Sequence, residues 1–100
     1  MYSSIIEINR NVPGETLMSL HKVAENAFSN RAGSVRNSSS DPYRLVFKGN
    51  EDMFGCLEVG MLELEDKHDF LRQVHSWRWI DDEDPSENCD ILKVLAMPVY

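Results

Sequence analysis

The stretch Phe54–Asp84, FGCLEVGMLELEDKHDFLRQVHSWRWIDDED, decides how the rest of the chain is read. Its first part predicts a long strand over Met53–Glu65. Leu57 and Val59 share one parity, and Leu62 and Leu64 the other. Gly60 sits at the changeover, which implies either a bulge or burial of both faces. Asp66 then offers a helix N-cap, and Asp69 favours the positive end of a helix. Phe70, Leu71, Val74 and Trp77 recur at helical spacing, so a helix is expected from Asp66 to about Ile80. Under that reading His68, Arg72 and His75 form a stripe on a second face. Trp77 is a core residue, whereas Trp79 cannot share its face and is expected to be exposed. The acid run Asp81–Asp84 and then Pro85 stop the helix.

Upstream, residues 2–10 read as a short strand with Ile6 and Ile8 on one face and Ile5 and Glu7 on the other. Asn11–Gly14 breaks it. From Glu15 to about Asn30, Leu17, Leu20, Ala24, Ala27 and Phe28 lie on one helical face. The polar segment that follows, with Arg31, Arg36 and Arg44 in or beside it, is expected to be a mobile loop with solvated charges. Tyr43–Lys48 alternates as a half-buried strand, and the turn residues Gly49–Asp52 predict an antiparallel hairpin with the strand after them. Cys89–Val99 reads as a last strand with apolar residues on both faces.

The resulting order, βαββαβ, is that of an α+β ferredoxin-like split βαβ fold. It implies a four-stranded antiparallel sheet with two helices on one face. The opposite face would then expose apolar residues such as Ile5 and Val46, and a homodimer or a protein partner is expected to cover it.

At 100 residues the chain reads as a single domain spanning 1–100. Hydrophobic residues make up 42% and charged residues 27%, the composition of a globular protein. The apolar runs are too short for a membrane helix. The N-terminus lacks the basic-then-apolar pattern of a secretory signal. Cys56 and Cys89 are too few for a disulfide framework, which points to a cytoplasmic home.

Charge is unevenly distributed. Residues 1–50 balance to +2, residues 51–100 to −9, and the whole chain to −7. Such asymmetry disfavours direct nucleic-acid binding and favours a basic protein partner.

The motifs of common chemistry are missing from the sequence. His68 and His75 lie too far apart on one helix to share a metal ion, and no HExxH or CxxC spacing occurs. A calcium loop beginning at Asp82 would need Gly at Glu87 and Glu at Lys93. No GxSxG or phosphate-binding glycine loop is present. No metal and no cofactor is expected, and an enzyme is the less favoured reading.

What is left is the acid run. Asp81, Asp82, Glu83, Asp84 and Glu87, helped by Glu63, Glu65 and Asp90, form an acidic surface suited to a basic groove, with Trp79 as an apolar anchor. Function is accordingly expected to be that of an inhibitor, immunity protein or regulatory adaptor. This make-up is common among small acidic proteins of phages and other mobile elements, an analogy of composition alone. The alternative is a dimeric ferredoxin-like small-molecule-binding domain or cofactor-free oxygenase, with Tyr43, His68, His75 and Trp77 lining its pocket.

Overall fold

A computed structural model describes residues 1–96. The chain begins with β1 (Tyr2–Ile8), the α-helix α1 (Gly14–Ala27) and two short strands, β2 (Ser29–Asn30) and β3 (Gly33–Ser34). Next come β4 (Arg44–Gly49), α2 (Phe54–Glu65), a four-residue helix α3 (His68–Leu71) and β5 (Val74–Asp81). The last described elements are β6 (Cys89–Asp90) and α4 (Ile91–Ala96). The fold is α+β. Its main sheet is four-stranded and antiparallel in the order β4-β1-β5-β6. That order differs from the expected ferredoxin-like one, and there are four helices among the described residues instead of two.

β1 and α1 are the strand and helix expected there, but β1 ends at Ile8 and α1 at Ala27, and Ser29–Asn30, expected as the end of the helix, is a strand. Leu17, Leu20, Ala24 and Ala27 are buried on the inner face of α1, and the helix stops with the Phe28 N–H donating to the Ala24 carbonyl, 3.1 Å. Gly33 turns the β2–β3 hairpin with a φ of 143°, which L side chains rarely adopt. The Asn30 amide donates to the carbonyls of Ala27 and Cys56, each at 3.1 Å, and so ties the end of α1 to α2.

Three expectations are overturned. Phe54–Glu65 is a helix, not a strand, with Cys56, Leu57, Gly60 and Leu64 buried at helical spacing. The apolar residues Phe54, Val59 and Leu62 on its outer side hid that periodicity. Asn50 starts this segment by accepting the Asp52 N–H, 3.0 Å, at the head of a short 3₁₀ turn. Gly60 marks no bulge. It is where the Phe28 ring packs against the helix.

Secondly, the expected helix over 66–80 is the single turn α3 followed by the strand β5. β5 carries the bulge. Glu7 pairs with Ser76 but Ile8 pairs with Val74, so His75 is the extra residue. The inserted residue puts Val74 and Trp77 on one face three positions apart, which imitates a helical spacing. Trp79, two residues beyond Trp77, shares its face.

Thirdly, Ile91–Ala96 is a helix, and the strand expected over Cys89–Val99 is reduced to two residues. Residues 97–99 of that expected strand lie outside the described residues. The hairpin predicted after Lys48 is also lost, because β4 pairs with β1 along Tyr2↔Gly49 to Glu7↔Arg44.

β4 and β5 both run antiparallel to β1 and flank it, so the β4–α2–α3–β5 segment is a crossover split by β1. Ile6, Ile8, Leu45, Phe47 and Trp77 form one core with the inner faces of α1 and α2. On the opposite sheet face Val46 is buried, while Ile5 and Ile80 are half-buried among Arg44, Lys48 and Arg78. The serine-rich loop is hydrogen-bonded to β4. Ser38 N–H donates to the Val46 carbonyl and Val46 N–H to the Asn37 side chain, both at 2.9 Å, which covers the outer edge of β4.

Candidate functional site

The candidate site is an apolar groove at the acidic end of the sheet. One wall is the outer stripe of α2: Phe54, Glu58, Met61, Leu62 and Glu65. The other wall is Trp79 with Glu87, Cys89 and Ile91, and the hollow between them measures 290 Å³. Three rings build one end. Tyr2 stacks on Trp79 with centroids 5.5 Å apart and planes 17° apart. Phe54 meets both edge-on, 5.0 Å from Tyr2 and 5.9 Å from Trp79. Strand pairing explains the stack, because Tyr2 and Trp79 rise from the core-side face of adjacent strands as diagonal neighbours, two register positions apart.

Carboxylates surround this apolar surface. Burial raises the Tyr2 phenol pKa above its ordinary value, and Asp81, Glu51 and Glu83 raise it further. Burial likewise raises the Cys89 thiol, with Asp90 and Glu87 adding to the effect. A thiol held protonated in this way is a poor nucleophile. In both groups the nearby acids add to the larger effect of burial. Leu62 is 55% exposed and Phe54 39% exposed, so a solvent-facing hydrophobic strip runs beside the acids.

The predicted partner-binding residues divide into two groups. Asp81 and Asp84 hold the turn: Asp81 accepts the N–H groups of Glu83 and Asp84, and Asp84 accepts that of Ser86. Asp82, Glu83 and Glu87 are exposed, and among the described residues none of them is ion-paired. Trp79 is half-buried rather than fully exposed. Trp79 and Glu87 line the groove together, and Glu65 joins them from α2. Glu63 and Asp90 are exposed outside it. Tyr2, Phe54, Glu58, Met61 and Leu62 were missed. The signal for the four on α2 was present as spacings of four, three, one and three from Phe54 to Glu65, a helical stripe obscured by the strand reading.

The four alternative pocket residues do not converge. Trp77 is 0% exposed and packed into the core, with its indole N–H on the Ser4 hydroxyl at 2.8 Å. His68 lines a 530 Å³ hollow between α1 and α3, beside Ser19, Lys67 and Asp69. Tyr43 and His75 do meet, in a separate 340 Å³ hollow. Among the described residues no three His, Cys, Asp or Glu side chains are grouped as metal ligands. No helix among them is long and apolar enough to cross a membrane.

No protein-family model, no curated protein and no solved structure matches the chain.

Proposed function

We propose that this chain is a small acidic protein-binding module, acting as an inhibitor, immunity protein or regulatory adaptor on a basic protein partner. One observation carries the reading: an exposed apolar groove built on Phe54, Leu62 and Trp79 is rimmed by Glu58, Glu65 and Glu87. An apolar anchor site inside a ring of like charge suits a partner with a protruding apolar side chain flanked by Lys or Arg. The exposed Asp82 and Glu83 extend the same field and would steer that partner. The field opposes nucleic acid and anionic membrane surfaces, and the reading requires neither. A cytoplasmic location and an origin on a phage or other mobile element belong to the same proposal.

The test is capture of basic proteins from the native host at low and high salt. Wild type should retain a salt-sensitive basic partner, and both Glu58→Gln/Glu65→Gln/Glu87→Gln and Phe54→Ser/Leu62→Ser should release it. Equal capture by all three proteins would end the proposal. The dimeric ferredoxin-like pocket domain or oxygenase draws less support, since its four proposed pocket residues fall in three different places.

A further inference from the structure

We infer that the hollow at the opposite end of the sheet is a binding site for a small zwitterion, a free α-amino acid or a compound carrying the same ammonium and carboxylate. It lies where β1 runs into the Asn9–Arg10 turn and meets the start of β4 and the bulge of β5. At 340 Å³ it is at the low end for ligand pockets, which sets the ligand as small.

Its frame is fixed by hydrogen bonds. Asp41 accepts the Tyr43 N–H and the Arg10 guanidinium, both at 2.9 Å. The Tyr43 hydroxyl donates to the Val12 carbonyl at 2.9 Å, and the Ile8 N–H to the Tyr43 carbonyl at 2.8 Å. Arg10 also lies 5.5 Å over the Tyr43 ring. These contacts hold the walls in place before any ligand arrives.

The groups inside that frame are only loosely held. Arg44 and Glu7 face each other across β4 and β1 as a long ion pair, Nε and Oε1 4.0 Å apart, beyond hydrogen-bonding distance. Neither side chain, nor that of Asn9 or His75, makes a hydrogen bond among the described residues. His75 reaches the hollow because it is the extra residue of the β5 bulge, the kind of irregularity that re-aims a side chain.

Charge selects the ligand class. Two guanidinium groups face two carboxylates, so the site is balanced in a chain of net charge −7. A bare anion would meet Glu7 and a bare cation would meet Arg44. A zwitterion satisfies both, with its carboxylate on the Arg44 fork and its ammonium on Glu7. Asn9 and His75 are placed to bond the remainder.

The test is a two-dimensional amide NMR titration of the full chain with the proteinogenic L-amino acids, each at about 10 mM, tenfold above a millimolar Kd. At least one should move the Asn9, Arg44 and His75 resonances while leaving those of Phe54 and Trp79 in place. Its N-acetyl and carboxamide derivatives should each bind at least about tenfold more weakly, as should the exposed-site variants Arg44→Gln and Glu7→Gln. Absence of movement with every amino acid, equal binding by either derivative, or unchanged binding by either variant would each overturn the assignment.

Discussion

The indole N–H of Trp77 donates to the hydroxyl of Ser4 at 2.8 Å, joining the two central strands inside the core, and both residues are 0% exposed. Ser4 is one of two buried polar residues among the described residues, and this bond gives it a reason to be there. Replacing it with Ala leaves a buried N–H without a partner, at a cost of about 1–3 kcal/mol. Urea unfolding of Ser4→Ala should show a lower midpoint with an unchanged slope.

Gly60 gives a steric prediction. A Cβ there would lie 2.5 Å from the Phe28 ring, which is itself stacked on Phe47 at 4.1 Å and has no room to retreat. Gly60→Ala should destabilise the fold by roughly 1–3 kcal/mol despite its better helix propensity. Gly55 is the control. Nothing lies within 4 Å of its added Cβ, so Gly55→Ala should be neutral or stabilising by up to about 1 kcal/mol. Thermal melts should fall for Gly60→Ala and hold or rise for Gly55→Ala.

Asp41 ties stability to acid. The Tyr43 N–H, the Arg10 guanidinium and the nearby charge of Arg44 lower its pKa below the ordinary carboxylate value. A depressed folded-state pKa contributes stability that is present above the unfolded value, near pH 4, and is lost as pH falls through the folded value. Asp41→Asn should therefore be less stable than wild type at pH 7. The difference should shrink as both proteins are taken below about pH 4, followed by denaturant midpoints at each pH.

The acidic end should be visible in tyrosine titration. Burial, then Asp81, Glu51 and Glu83, raise the Tyr2 phenol. The difference in phenolate absorbance between wild type and Tyr2→Phe should have its midpoint above about 10, the ordinary value. Glu51→Gln/Glu83→Gln should bring it down without removing the part due to burial. Stability tied to this group is present below about pH 10 and is lost as pH rises through the folded value.

The two thiols should differ in kind. Cys56 is 1% exposed and donates to the Phe28 carbonyl at 3.1 Å, so disulfide reagents should reach it only on unfolding. Cys89 is half-buried with a raised pKa. It should react at pH 8 more slowly than a free thiol, and Glu87→Gln should speed it.

Much of the first half was legible in the amino-acid order. Leu17, Leu20, Ala24 and Ala27 repeat at the helical period, and Tyr43, Leu45 and Phe47 at the strand period, because each element has one face in the core. The acidic bias after residue 50 and the core role of Trp77 were readable in the same way. The second half was misread where periodicity stopped reporting burial. α2 carries Phe54, Val59 and Leu62 on its outer side, so no single apolar stripe stands out. The bulge at His75 lends β5 a helical spacing, although its aromatic and β-branched residues suit a strand.

The sequence by itself determined an acidic α+β chain with a small core, its first helix and the strands β1 and β4, since these follow from local periodicity and total charge. Only the tertiary structure decided which strand neighbours which, that Tyr2, Phe54 and Trp79 share one surface, and that Glu7, Arg44 and His75 share another. The neighbours of β1 and the bulge position depend on pairings between residues 37–79 positions apart, and no local pattern encodes them.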